Sequence, residues 1–292
     1  MKKKKNQIKK KRGRAAMIWH RFAKNRLAVV GLVILAVLIL MCAFAGFIVD
    51  YQQDVVAQNA KLRLSAPSKD HIFGCDLYGR DIFGRILYGG RTSLTVGISV
   101  VAIALTAGGA IGAIAAYCGG KVDMIIMRFM DVILAVPSLV MAMAVVSVLG
   151  TNIFNMIVAM SIARTPQFAR IVRSSVMPLK NSEYVEAARA CGTSHHRIIL
   201  KHILPNAFGP IIVQATLQIG SALLNVSSLS FVGLGIQPPA PEWGSMLSEM
   251  RPYLRYNPTL VVFPGLAIML TVFAFNRIGD GLRDALDPRL KN

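Results

Sequence analysis

The stretch Glu183–Pro205, EYVEAARACGTSHHRIILKHILP, sets a polar helix–glycine–helix pattern between two long apolar runs, around Asn152–Ala163 and Asn206–Leu234. With both runs in a membrane, the stretch hangs in water between two spans. Ser182 stands at the N-cap of the first helix, and Glu183 and Glu186 fall in its electropositive first turn. Ala187, Ala188 and Ala190 keep the surface of that helix low, which suits docking into a groove on another protein. Gly192 fits the left-handed residue that ends a helix. Thr193 or Ser194 starts the next one, and Leu204-Pro205 follows it. A small docking helix held between two spans is a mechanical coupler.

Composition agrees with a membrane location. Of 292 residues, 54% are hydrophobic and 16% charged, a balance foreign to ordinary soluble domains. Lys2–Lys5, Lys9–Lys11, Arg12, Arg14, Arg21, Lys24 and Arg26 put 12 basic residues and no acid ahead of the first apolar run, which is most of the formal charge of +19. Beside a span, such a tail marks the cytoplasmic side and meets anionic lipid headgroups, not nucleic acid.

Leu27–Val49 is 23 residues without a charge, enough to cross a hydrocarbon core of about 30 Å. It is too long for the apolar region of a signal peptide, so it reads as an uncleaved anchor. Five further spans follow at Leu94–Tyr117, Val132–Leu149, Asn152–Ala163, Asn206–Leu234 and Thr259–Phe275. The fourth continues through Gln167–Val172, with Arg164 and Arg170 near the interface, and Pro137 and Pro264 kink the third and sixth. Net charge is +12 for the N-terminal segment and +5 for Arg164–Pro205, against +1 for Asp50–Ser93 and 0 for Ile236–Pro258. That asymmetry puts both termini and the Glu-Ala-Ala loop in the cytoplasm. The expected protein is an all-α membrane protein with six transmembrane helices. Its parts are a basic tail (1–26), a first span (27–49), an outer loop (50–93), a core (94–276) containing the loop 165–205, and a cytoplasmic tail (277–292).

None of the six apolar runs contains Asp, Glu, Lys, Arg or His, so ion-coupled transport lacks its usual intramembrane group. No inverted repeat or ring of selectivity residues is visible either. The small residues Gly97, Gly108, Gly109, Gly112, Gly220, Ser221 and Ala222 serve close helix packing. No catalytic group stands at a span end. Gly120-Lys121 is followed by Val122, so there is no phosphate loop. His195, His196 and His202 have no Cys or carboxylate at a zinc-binding spacing, and no metal site is expected. Of the four cysteines only Cys75 faces outward, so no external disulfide forms within the chain. A docking element without an energy source of its own describes one subunit of a pump that a partner ATPase drives.

Glu186-Ala187-Ala188, Gly192 and Leu204-Pro205 resemble the EAA signature of bacterial ABC-importer permeases, with His202 where that pattern often has Ile. A second segment, His71-Ile-Phe-Gly-Cys-Asp76-Leu-Tyr-Gly-Arg80-Asp81-Ile-Phe-Gly-Arg85, leading to Gly89, Arg91 and Ser93-Leu94, is similar to one that marks the C-type permeases of dipeptide, oligopeptide and nickel importers. Cys75 and Gly84 stand where that segment usually has Thr and Ser. The resemblance runs from about Ile18 to Pro288. It implies the type I ABC-importer permease fold in a bacterial cytoplasmic membrane, a homologous B-type permease beside this chain, two cytoplasmic ATPase subunits below and an extracytoplasmic solute-binding protein above. ATP and Mg belong to the ATPase subunits, and this chain binds no cofactor. Glu183, Glu186, Ala187, Ala188, Gly192, Leu204 and Pro205 are then the residues that couple to the ATPase.

On the outer side, Ile82, Phe83, Ile86 and Leu87 share one helical face opposite Arg80, Asp81 and Arg85, as in an amphipathic helix lying on the membrane. Asp76, Arg80, Asp81 and Arg85 are read as exposed ion pairs at an outer gate or binding-protein contact. Trp243, in a proline-rich loop, is read as a headgroup-level anchor of the same surface. Asn225, Ser227, Ser228 and Ser230 are the expected lining of the route. Such an uncharged lining suits short peptides recognised through their amides, with nickel or a metal chelate as the alternative.

Overall fold

Asn25 parts the first two helices, α1 (Arg14–Lys24) and α2 (Arg26–Ala43), and its side-chain oxygen caps α2 by accepting from Ala28 N. The structure is a computed structural model and describes residues 14–286; most of the basic tail (1–13) and the end of the C-terminal tail (287–292) lie outside the described residues. After a short α3 (Ala45–Ile48), the segment 50–81 folds through two brief turns, Tyr51–Val56 and Ala60–Leu62, into α4 (Ile82–Cys118). Asp81 caps α4 by accepting from Gly84 N at 2.6 Å.

The separate amphipathic helix is therefore absent. The residues expected to form it are the first turns of one 37-residue helix. At about 1.5 Å per residue α4 outruns a hydrocarbon core, and its extra turns are packed on every side, with Ile82, Gly84, Arg85, Ile86 and Leu87 all buried.

The expected third span is also two helices, α5 (Gly120–Leu134) and α6 (Ser138–Leu149), bent by 81°. Pro137 supplies the break, because it has no N–H and its ring disfavours a helical Val136. α7 (Ile153–Val176), capped by Asn152, leads to the hairpin helices α8 (Glu183–Ala190) and α9 (His195–Arg197). α9 does not stop at Pro205. A wide turn, Ile198–Ile203, carries it directly into α10 (Leu204–Phe231), so Pro205 lies where the widened hydrogen-bond register accommodates a residue that cannot donate. α11 (Trp243–Met250) and α12 (Thr259–Leu286) complete the chain, and α12 runs well past Phe275 into the expected tail.

Among the described residues, four helical stretches are long and apolar enough to cross a membrane: Arg26–Ala43, Ile82–Cys118, His195–Phe231 and Thr259–Leu286. The bent α5–α6 pair makes a fifth. α7 is less apolar than these, carrying Asn155, Gln167, Arg164, Arg170 and Arg173 along its length. It is shielded by its neighbours, with Met156, Ala159, Met160, Phe168, Ala169 and Val172 buried, and a helix enclosed by protein need not match lipid.

α4 packs along α7 through glycines. A Cβ at Gly108 would collide with the carbonyl of Thr165, and one at Gly112 with that of Ala169. Elsewhere α12 receives α10 on one side and α2 on the other, and Phe22 of α1 folds onto Gly281. Gly109, one residue round the helix, sees only ordinary contact with Val172 at 3.7 Å. Gly112→Val should therefore cost about 1–3 kcal/mol by overpacking and lower the amount of folded protein in the membrane. Gly109→Ala should leave it unchanged, as thermal unfolding in detergent would measure.

Candidate coupling surface and translocation route

The hairpin formed by α8 and α9 ends its first helix in a left-handed turn. Gly192 has φ +73°, Thr193 N donates to Ala188 O at 3.0 Å and Gly192 N to Arg189 O at 2.9 Å, the paired bonds of a Schellman cap. Ser182 occupies the N-cap position, but its hydroxyl donates backward to Leu179 O instead of receiving a helix N–H. The hairpin has two faces. Val185, Ala188, Ile198 and Ile203 are buried against Tyr117 of α4 and Val172 and Val176 of α7, whereas Glu183, Glu186, Ala187 and Gly192 are exposed. Ala188 thus serves the seat of the hairpin and does not lie on its outward face. Leu204 is half-buried and Pro205 exposed at the start of α10.

Sequence reading missed Tyr117, which pins the hairpin to α4. Its hydroxyl lies 2.7 Å from His195 Nδ1, and the Arg189 guanidinium sits over its ring at 5.3 Å. Arg173 Nε and Nη2 each donate at 2.6 Å to Asp123, fixing α5 to the same end of α7.

At the opposite end, the residues expected as exposed ion pairs are buried. Arg80 Nε donates to Asp76 Oδ2 at 2.5 Å and Arg80 Nη2 to Glu249 Oε2 at 2.6 Å. Arg85 lies behind them, 3.5 Å from Asp76 and 3.7 Å from Glu249, and donates to Val55 O. Asp76 Oδ1 also accepts from the Tyr78 and Arg80 amides. Asp81 caps α4 and faces His71 Nδ1 at 3.0 Å. The cluster ties the 50–81 segment and α4 to α11.

Trp243 is wholly buried, not at a headgroup. Its Nε1 donates to Ile86 O at 2.9 Å, and its ring fits against Gly90, where a Cβ would strike it. The adjacent Glu242 is equally buried and caps α11, accepting from Gly244 N, Ser245 N and the Ser93 hydroxyl. Glu242 and Glu249 were invisible in the sequence as members of these networks, because their partners on α4 and in the 50–81 segment lie about 150 residues or more away in the chain.

A cavity of about 700 Å³ opens between α10, α11 and α12, lined by Leu224, Ser227, Ser228, Leu247, Met269 and Asn276 among others. Of the four expected route residues, Ser227 and Ser228 reach it. Asn225 is half-buried outside its lining, and Ser230 is buried beside Gly235. Arg164 departs furthest from expectation. It is the twelfth of the 24 residues of α7 and only 4% exposed, so it sits deep in the bundle and does not snorkel. Its Nη1 donates to Gln218 Oε1 at 2.9 Å and Ser221 Oγ at 3.1 Å, and among the described residues no acid pairs with it. Placing an arginine at a helix centre costs on the order of 3 kcal/mol on insertion scales.

Removing one partner of a buried ion cluster strands the others. Glu249→Ala should therefore destabilise the purified subunit by about 3 kcal/mol or more. Asp131→Ala, which breaks the half-exposed bridge to Arg170, should cost at most about 1 kcal/mol. Thermal unfolding of both variants measures the contrast.

Residues 108–292 match the family described as binding-protein-dependent transport system inner membrane component, and residues 14–67 match the N-terminal transmembrane domain of oligopeptide transport permease C. The dipeptide transport system permease protein DppC of Alkalihalophilus pseudofirmus is 49% identical over 269 residues, which are 92% of this chain and 88% of that protein. The glutathione transport system permease protein GsiD of Escherichia coli is 44% identical over 273 residues, 94% of this chain and 90% of that one. Among solved structures, the inward-facing MetNI methionine ABC transporter superposes with a TM-score of 0.59 at 17% identity, covering 70% of this chain and 96% of the other. An amino acid ABC transporter with histidines gives 0.54 at 15% identity, covering 69% and 94%. The chain belongs to the binding-protein-dependent transport system inner-membrane components: it is a permease subunit of an ABC importer, a transport protein and not an enzyme.

Proposed function

We propose that this permease forms half of a translocation route for short peptides, and that the face of its hairpin bearing Glu183, Glu186 and Ala187 receives the push of a cytoplasmic ATPase. In this reading α7 is the fourth of six spans, both termini and the hairpin are cytoplasmic, and the 50–81 segment with α11 faces the binding protein. A second, similar permease supplies the other half of the route. ATP and Mg are handled by two ATPase subunits.

The observation that carries the coupling role is the seat of the hairpin. α8 joins α7, α9 runs unbroken into α10, and Tyr117 ties both to α4. A force on the exposed face is thus delivered to three helices together. ATP binding would draw the hairpin with the ATPase pair, tilt α7 and α10, and turn the cavity outward; hydrolysis would reset it. Two substitutions separate face from seat. Ala187→Trp should leave membrane abundance unchanged and abolish solute-stimulated ATP hydrolysis by the reconstituted complex. Ala188→Trp should dislodge the hairpin itself and reduce abundance as well. Normal stimulated hydrolysis in Ala187→Trp would refute the docking assignment.

For the substrate, the support is similarity to a dipeptide and a glutathione permease together with a cavity whose polar groups, Ser227, Ser228 and Asn276, are neutral. Neutral hydroxyls and carboxamides complement peptide amides. Nickel or a metal chelate remains the alternative substrate. With the complete complex in proteoliposomes, a binding protein loaded with a dipeptide mixture should stimulate ATP hydrolysis several-fold. Stimulation by Ni²⁺ chelates alone would overturn the peptide assignment.

A further inference from the structure

Polar residues on α10 recur at Gln214, Gln218, Ser221, Asn225 and Ser228, at alternating steps of four and three, and every one is half-buried. That spacing makes one continuous stripe, about 21 Å long at 1.5 Å per residue. Three carboxamides and two hydroxyls, half-exposed along a spanning helix, do not face lipid, which offers them no partner. The flank of α10 beside the stripe is buried and apolar, with Ala215, Ala222, Val226 and Leu229. One end of the stripe, Ser228, opens into the 700 Å³ cavity.

Midway along it stands Arg164, held by Gln218 and Ser221, with its Nε buried and unpartnered. A guanidinium has five donors in a planar fork suited to a carboxylate. Here one nitrogen is satisfied by two neutral acceptors, and the charge is not balanced by any acid of the described residues. Nine-tenths burial without a counter-ion is a standing demand for an anion.

We propose that Arg164, Gln218 and Ser221 form a carboxylate subsite halfway along the route, which takes the C-terminal carboxylate of a peptide in transit. The proposal rests on the peptide reading above and adds a handle by which the membrane subunit itself selects its cargo. As the carboxylate arrives, Gln218 and Ser221 yield their hold on Nη1 and turn to the peptide, so the cation exchanges neutral partners for a charged one. The neutral stripe on either side carries the amides. A carboxylate from the neighbouring permease would satisfy the same cation, and the test separates the two sources.

The complete complex is assembled in proteoliposomes with its binding protein saturated by either alanyl-alanine or alanyl-alaninamide, which differ only in the carboxylate. The wild-type complex should move the free acid faster. Arg164→Gln should lower free-acid transport about tenfold or more and leave the amide within about twofold, given the strength of hydrogen bonds to charged groups. Arg164→Lys should restore part of the difference. Gln218→Glu places a carboxylate where Gln218 Oε1 now stands, 2.9 Å from Arg164, so it should erase the free-acid preference without lowering the amount of complex. Equal losses for both probes in Arg164→Gln assign the cation to a partner acid or to packing and overturn the proposal, as does an undiminished preference in Gln218→Glu. A wild-type complex that moves both probes equally sinks the subsite alone. One that moves neither sinks the peptide reading and the subsite with it.

Discussion

A hydrocarbon slab offers no hydrogen-bond partner, so every polar group in this bundle must find one inside the protein or in a wet route. Six hydroxyls within the spans obey that rule locally: those of Thr106, Ser147, Ser161, Thr165, Thr216 and Thr271 each donate to the carbonyl four residues earlier, whereas the buried hydroxyls of Ser227 and Ser230 have no protein partner among the described residues. Backbone rules follow as well. At Pro137 the chain does not carry a damaged helix through the bundle; it breaks and turns by 81°. At Pro205 it widens one turn and continues. Pro166, Pro210 and Pro264 lie inside unbroken helices, so a mid-helix position alone does not force a break.

Ends of the bundle are governed by the opposite problem, which is how to fix long charged side chains without water. The Asp76–Arg80–Arg85–Glu249 cluster does so by joining residues from three segments into one network, and the buried Glu242 does so by capping α11 while holding Ser93 of α4. Together the two networks bind the 50–81 segment, α4 and α11 into one unit, so that end moves as a body. The hairpin end is built more lightly, on an alanine–valine–isoleucine seat, one tyrosine–histidine contact and one bidentate Arg173–Asp123 bridge.

Much of this was legible in the sequence because it depends on local chemistry. The hairpin, its glycine stop and the apolar runs are set by residues a few positions apart, and the left-handed Gly192 stands where the spacing puts it. What depends on tertiary surroundings was not legible. Arg164 looked like a span boundary because a charge usually ends an apolar run, and only the neighbouring α10 shows that it is enclosed. Arg80 and Arg85 looked solvent-facing because their acidic partner Glu249 lies over 160 residues away in sequence. The amphipathic pattern at 82–87 was real, but both of its faces are covered, the charged one by α11 and the 50–56 turn.

Arg164 also joins the two helices that flank the hairpin. α7 enters the hairpin and α10 leaves it, and halfway up each helix the Arg164–Gln218–Ser221 contact binds them a second time. Two helices linked at their ends and at their middles resist sliding but still permit a common tilt. The mid-level link is made of neutral acceptors around a cation, so it is the weaker of the two and is open to competition by an anion. On the proposed reading, the hairpin delivers force to α7 and α10 together, and the exchangeable contact between them lies where the cargo passes.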